Sequence, residues 1–128
     1  MSRILVIDDE EPVRQLISRA LTQAGHEVVL AGDGVEGTRL FEESDFNLVI
    51  TDLIMPEKEG IETILDLKGR YPEVKILVIS GGLSFGGRSV DRAGPLMDAE
   101  ALGADASLAK PFDIKNLINK VESLLNPE

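Results

Sequence analysis

The sequence contains no cysteine. It therefore cannot form disulfide bonds or thiolate metal sites, which fits a reducing compartment. Basic residues are also scarce, because 13 Lys and Arg stand against 23 Asp and Glu and leave a formal net charge of −10. Nucleic acid phosphates and anionic lipids repel a chain this acidic. We therefore expect no direct binding to nucleic acid and no binding to a membrane surface.

Long apolar runs, internal repeats and linkers are absent as well. The first apolar run, at 4–7, is followed at once by charged residues and does not form a signal peptide. No run approaches the roughly 20 apolar residues that span a bilayer. With 128 residues, of which 43% are hydrophobic, the chain is long enough for one domain with its own core. We therefore expect a single soluble, cytoplasmic domain.

Short apolar runs alternate with longer segments of helical period, which is typical of a parallel sheet flanked by helices. The predicted strands are 4–7, 28–30, 48–50, 76–79 and 106–109. The first, third and fourth runs are uniformly apolar and rich in β-branched residues, as expected where helices cover both faces of a strand. These three runs are predicted to be the central strands.

The helices are predicted from apolar spacing and from residues that suit their ends. Pro12 suits the first turn of the first helix and Gly25 its exit. Asp33 and Asp113 are placed to cap the second and the last helix. A third helix is predicted before Pro72, because the residue preceding proline avoids helical angles. A short helix is also predicted within 95–102.

Polar side chains follow the ends of four predicted strands. The first strand runs into the acidic triplet 8–10, and the third reaches Asp52 through a threonine. Ser80 ends the fourth strand and Lys110 the fifth. In open α/β sheets, ligands bind in the crevice beyond the carboxyl ends of the strands. Carboxylates, a hydroxyl and an ammonium group are therefore predicted to meet there.

The charge balance of this crevice favours a divalent cation. Asp8, Asp9 and Asp52 would bring three like charges together, so that either protons or a cation must be bound. Oxygen ligands of this kind suit Mg²⁺, which takes one or two carboxylates and keeps several waters. Once a cation offsets the charge, one carboxylate can act as a nucleophile towards phosphorus.

Four motifs, in this order, resemble the receiver domain of the response regulators of two-component signal transduction, the CheY-like superfamily. They are ILVIDDE at 4–10, VITDLIMP at 49–56, ISG at 79–81 and KPF at 110–112. The resemblance implies a flavodoxin-like, doubly wound, five-stranded parallel sheet with strand order 2-1-3-4-5 and about five flanking helices. From the length we expect residues 1–128 to be a single receiver domain without an output domain, and a receiver fragment of a longer protein stays open as an alternative.

The resemblance implies a role for six residues. Asp52 matches the phosphoacceptor, Asp8 and Asp9 the acidic pair that supports Mg²⁺, the backbone carbonyl of Ile54 a further metal ligand, Ser80 the switch hydroxyl and Lys110 the lysine that contacts the phosphoryl group. Of the acidic pair, Asp9 is the expected direct ligand.

The function implied by the resemblance is that of a phosphorylation-activated signalling switch. Asp52 would accept a phosphoryl group from the phosphohistidine of a histidine kinase or a histidine phosphotransfer domain, and the phosphoryl group would then be hydrolysed slowly. Phosphorylation would change the binding of an unidentified downstream protein. The chain would catalyse its own phosphoryl transfer and dephosphorylation without turning over an external substrate.

Two features depart from the family pattern. Ser107 stands where the family usually has a switch aromatic, so the coupling between hydroxyl and aromatic is in question. The glycine-rich segment 81–87 also lengthens the interval between Ser80 and Lys110. Phe85 in that segment would either contact a partner or substitute for the missing aromatic.

Other interpretations stay open. A Mg²⁺-dependent phosphohydrolase with an aspartyl-phosphate intermediate needs the same groups, although it would be expected to carry Asp-x-Asp on the first strand. A pseudo-receiver that only docks partners is opposed by the intact set of acids, hydroxyl and lysine. Taken alone, the triplet 8–10 could simply be acids favoured at a helix amino terminus. His26, the only histidine, is predicted to be structural.

Overall fold

The computed structural model describes residues 2–52, 60–80, 103–109 and 112–126. The elements in chain order are β1 (Arg3–Ile7), α1 (Glu11–Gln23), β2 (Glu27–Ala31), α2 (Gly34–Glu43), β3 (Leu48–Asp52), α3 (Gly60–Arg70), β4 (Ile76–Ser80), β5 (Ala106–Ala109) and α4 (Ile114–Leu125). No helix within these residues is long and apolar enough to cross a membrane. The predicted short helix within 95–102 lies outside them.

The five strands form one parallel sheet in the order β2-β1-β3-β4-β5. This confirms the predicted strand order and the prediction that the first, third and fourth runs are central. The chain reverses its direction of travel across the sheet between β1 and β3, which is where doubly wound sheets form a crevice. Ile7 pairs with Thr51, so the next residues, Asp8 and Asp52, lie at the same level of that crevice.

The sheet buries an apolar core on each face. On one face, strand residues pack against Phe41 of α2 and against Ile64 and Leu67 of α3. On the other face, the opposite side chains of the same strands pack against α1 and against Leu117 and Val121 of α4. Each fully buried aliphatic side chain contributes roughly 1.5–3 kcal/mol through the hydrophobic effect. Within β1, β3 and β4, the runs 4–7, 48–50 and 76–79 are apolar at every position because both faces of these strands are covered.

Local capping explains where three of the helices begin or end. The Asp33 carboxylate accepts a hydrogen bond from the Glu36 backbone N–H at 2.8 Å, and Asp113 caps α4 in the same way. Pro12 lies in the first turn of α1. Gly25 follows the same helix with a φ of 97°, a conformation that favours glycine. These observations confirm the predicted caps.

Helical spacing predicts the helices better than it predicts which side chains they bury. Leu16, Leu65 and Ile114 all fall on apolar stripes, yet they are 45%, 49% and 38% exposed. Periodicity therefore marks a helix without setting the width of its buried face.

His26 lies at the end of the sheet opposite the acidic residues, immediately before β2. Its Nε2 lies 2.9 Å from a Glu122 carboxylate oxygen on α4, and its side chain is 8% exposed. Its Nδ1 is the one buried side-chain polar atom without a hydrogen-bond partner in the described part of the chain. The histidine thus connects the turn after α1 to α4, a structural contact remote from the strand ends that carry acids.

The packing of α2 against β1 gives a stability prediction. A Cβ added to Gly37 would lie 2.7 Å from Ile7 Cγ1 and even closer to Cδ1, which is an overlap. We expect Gly37→Ala to lower the free energy of unfolding by about 1–3 kcal/mol, because the core must shift to admit the methyl group. Urea denaturation measures the change.

The matched control is Gly69→Ala in α3, where a Cβ meets nothing within 4 Å. Alanine there should stabilise the protein by about 0.5–1 kcal/mol, since it lowers the backbone entropy of the unfolded chain. If Gly37→Ala stabilises the protein as Gly69→Ala does, the proposed overlap at Ile7 is wrong.

Candidate functional site

The acidic triplet begins where β1 ends. Asp8 is 1% exposed, and its backbone N–H continues the strand pairing by donating to the Ala31 carbonyl at 3.1 Å. One carboxylate oxygen of Asp8 accepts a hydrogen bond from the Glu10 backbone N–H at 2.8 Å. Glu10 itself occupies the N-cap position of α1 in an extended conformation. Asp8 is therefore held through both its backbone and its side chain.

Asp52 is the last residue of β3 and is 8% exposed. The hydroxyl of Thr51, which is fully buried, donates to the Asp52 carbonyl at 3.0 Å. Asp52 also pairs with Ile79 across the β3–β4 ladder. Asp52 thus lies at the end of a central strand, where pairing with β4 leaves its backbone little freedom to move.

The fold brings the carboxylates of Asp8, Glu10 and Asp52 together. One ligand oxygen from each lies within 4.8 Å of the others. At that distance two like charges repel by about 3 kcal/mol at an effective dielectric constant of about 20. Three oxygen donors at one crevice, two of them on buried residues, form a donor set that fits Mg²⁺. The arrangement can bind a hard divalent cation beside a buried carboxylate.

Among the predicted metal ligands, the structure brings Asp8 and Asp52 together. Asp9 is exposed, and its carboxylate is not part of the group of three. Ile54 lies outside the described residues. Glu10 takes part in the group although the sequence analysis did not select it.

No local signal in the sequence singles out Glu10. The strand β1 ends at Ile7, and the chain bends at Asp9 before Glu10 reaches the N-cap position of α1. Which acids of the triplet lie near Asp52 therefore depends on this turn.

The predicted hydroxyl and lysine are described less fully. Ser80 is the last residue of β4 and pairs with Ala109 of β5, so its backbone lies on the strand next to that of Asp52. Its side chain is outside what the structure describes, as is the whole of Lys110. Phe85 and the segment 81–87 are outside as well, whereas Ser107 lies within β5 opposite Val78.

The sequence of this chain matches the model of the response regulator receiver domain over residues 4–122. The chain therefore belongs to the response regulator receiver family. A receiver domain of this class is a phosphorylation-controlled signalling switch that requires a phosphodonor.

The curated relatives include proteins of different lengths. The response regulator receiver protein CpdR of Brucella abortus is 31% identical over 125 residues, which cover 98% of both chains. The response regulator MprA of a Mycobacterium species is 37% identical over 123 residues, or 96% of this chain and 50% of MprA. The DNA-binding transcriptional regulator NtrC of Azospirillum brasilense is 33% identical, and the chain spans 24% of its length.

Solved structures that share this fold also belong to response regulators. The chemotaxis response regulator CheY4 of Vibrio cholerae superposes with a TM-score of 0.84 at 28% identity, covering 98% of this chain and 99% of CheY4. A response regulator receiver domain from Clostridium thermocellum superposes with a TM-score of 0.86 at 29% identity, covering 99% and 96% of the two chains.

Proposed function

We propose that Asp52 accepts a phosphoryl group from a phosphohistidine in a Mg²⁺-dependent reaction. The donor would be a histidine kinase or a histidine phosphotransfer domain. The observation that carries this proposal is the position of the buried Asp52 carboxylate, within 4.8 Å of those of Asp8 and Glu10 at the strand ends of a receiver fold. Phosphorylation would then change the affinity of the chain for a downstream protein.

The proposed metal ligands are the carboxylates of Asp8, Glu10 and Asp52, with the backbone carbonyl of Ile54 as a further ligand. When bound, Mg²⁺ neutralises negative charge and offers coordination sites to phosphoryl oxygens. The family resemblance points to Asp9 as a direct ligand, whereas the grouping of carboxylates favours Glu10. The two ligand sets differ by one residue and can be separated by experiment.

The proposed transfer forms one bond and breaks another at phosphorus. A carboxylate oxygen of Asp52 attacks the phosphorus atom, the P–N bond to the donor histidine breaks, and the imidazole nitrogen keeps the electron pair and takes up a proton. In dephosphorylation, water attacks phosphorus, the P–O bond to Asp52 breaks, and inorganic phosphate and a proton leave. Lys110 and Ser80 are proposed to contact the phosphoryl oxygens.

Hydrolysis of the phosphoryl group is proposed to be slow, as the family resemblance implies. A phosphorylated state that outlasts its donor can then alter the binding of another protein. Such a state would distinguish a signalling switch from a phosphohydrolase, which must release phosphate in every turnover.

The domain organisation, partners and location of the chain are proposed from the comparisons and the composition. The match to CpdR over 98% of both chains supports residues 1–128 forming one receiver domain. The net charge of −10 disfavours direct binding to nucleic acid. The absence of cysteine is consistent with a cytoplasmic location.

Intact mass spectrometry after incubation with acetyl phosphate tests the proposal without a cognate kinase. The phosphorus–oxygen bond of the acyl phosphate breaks and acetate leaves. The expected product is one phosphoryl adduct per chain, which forms with Mg²⁺ and does not form in EDTA. No adduct under any of these conditions would contradict the proposal and favour a docking module. Release of phosphate from phosphomonoesters over many turnovers would instead favour a phosphohydrolase.

A further inference from the structure

We infer that Arg14 is a positioning residue of this site, which holds the acidic triplet so that Asp8 and Glu10 face Asp52. The inference rests on the proposed function. Arg14 lies in the first turns of α1, and its Nη1 donates to the backbone carbonyl of Asp8 at 2.6 Å. That carbonyl belongs to the peptide that links Asp8 to Asp9.

The hydrogen bond from Arg14 completes a set that fixes Asp8 on three sides. The backbone N–H of Asp8 donates to Ala31, its carbonyl accepts from Arg14, and its carboxylate accepts from the Glu10 N–H. If the Arg14 donor is lost, the peptide after Asp8 can rotate. Rotation of this peptide moves Glu10 relative to Asp8, because the peptide lies in the chain between them. The hydrogen bond from the Glu10 N–H to the Asp8 carboxylate is then disturbed.

The turn after β2 lies beside the guanidinium group of Arg14. A Cβ on Gly32 would lie 3.6 Å from Arg14 Nη1 and 3.8 Å from a Glu36 carboxylate oxygen. The Gly32 N–H donates to that same oxygen of Glu36 at 2.8 Å. A methyl group would fit at this spacing, whereas a branched side chain would displace the guanidinium. Arg14 thus links α1 to the acidic triplet beside the turn that precedes α2.

A guanidinium suits this position because it stays protonated and offers several N–H donors in a rigid plane. Its hydrogen bond to a carbonyl is charge-assisted and stronger than a neutral one. The interaction does not depend on a metal, so it should order the triplet before Mg²⁺ binds. Arg14 would therefore act on metal affinity through Asp8 and Glu10 without touching the metal.

Arg14→Met tests the inference, since methionine keeps much of the apolar stem and removes every donor. We expect the dissociation constant for Mg²⁺, measured by calorimetry, to rise by about tenfold, as is typical when a residue that orients metal ligands is lost. The amide resonance of Glu10 in EDTA should shift as well, because its hydrogen bond to Asp8 is disturbed. Arg14→Lys, which keeps a cationic donor, should recover part of the affinity.

Two further variants keep the test decisive. Arg39→Met removes an arginine that pairs with Glu43 on the exposed face of α2, and it should leave both readouts unchanged. Gly32→Val should displace the guanidinium from its position and weaken Mg²⁺ binding even if Arg14→Met fails to fold. Mg²⁺ affinity and a Glu10 resonance equal to those of the wild type in folded Arg14→Met would overturn the inference.

The outcome for Arg14 can be distinguished from failure of the proposed function. If wild-type protein forms no Mg²⁺-dependent adduct at Asp52, the proposed function is wrong whatever Arg14 does. If the wild type is phosphorylated and Arg14→Met is phosphorylated at the same rate at limiting Mg²⁺, only the inference about Arg14 is wrong.

Discussion

Replacing Asp52 with asparagine is expected to lower the rate of adduct formation from acetyl phosphate by roughly 10³-fold or more, the scale on which enzymes lose activity without their nucleophile. Asparagine has nearly the same shape as aspartate, so the packing at the end of β3 should persist. Its neutral amide, however, offers no anionic oxygen to attack phosphorus. Intact mass spectrometry over time measures the rate.

Stability separates this chemical effect from damage to the fold. Because asparagine keeps the shape of aspartate, we expect Asp52→Asn to unfold in EDTA in one cooperative transition, as the wild type does. The matched control is Asp45→Asn, an exposed acid in the loop before β3, at the opposite edge of the sheet. It should be phosphorylated like the wild type, and an adduct retained in Asp52→Asn would contradict the proposed acceptor.

Removing either of the carboxylates that accompany Asp52 should weaken Mg²⁺ binding. We expect Asp8→Asn and Glu10→Gln each to raise the dissociation constant by roughly ten- to a hundredfold, because each loses an ionised oxygen at the site. Asp9→Asn should have a smaller effect, since the Asp9 side chain is exposed and outside the group of three. Titration calorimetry gives the constants directly.

Comparing Asp9→Asn with Glu10→Gln decides whether Asp9 or Glu10 is the metal ligand. If Asp9→Asn loses Mg²⁺ affinity while Glu10→Gln keeps it, the ligand implied by the family resemblance is correct and Glu10 has no direct role. Thermal unfolding provides an independent measurement, because a ligand that binds only the folded state raises the melting temperature. A variant that no longer binds Mg²⁺ should show no such rise.

The fold was predictable from the sequence because its signals are local. The runs that became β1, β3 and β4 are apolar at every position, and both faces of these strands are in fact covered. Edge strand β2 is only partly buried, and its predicted run of three residues proved shorter than the observed Glu27–Ala31. Asp33 and Asp113 cap helices through contacts with residues three positions away, so no distant partner was needed to place them.

Contacts between residues far apart in the chain were not predictable in this way. The packing of His26 against Glu122 joins positions 96 residues apart. The exposure of Leu16 depends on how much of α1 the sheet and α4 cover, which no feature of the helix itself specifies.

The sequence by itself determined the class of fold, the family and the edge of the sheet where acids accumulate. It did so because strand periodicity, helix caps and acids at strand ends depend on neighbouring residues. Only the tertiary structure decided which acids of the triplet turn towards Asp52. That choice depends on how the backbone of Asp8 is held. Its N–H donates to the carbonyl of Ala31 in β2, and its carbonyl accepts a hydrogen bond from Arg14 in α1.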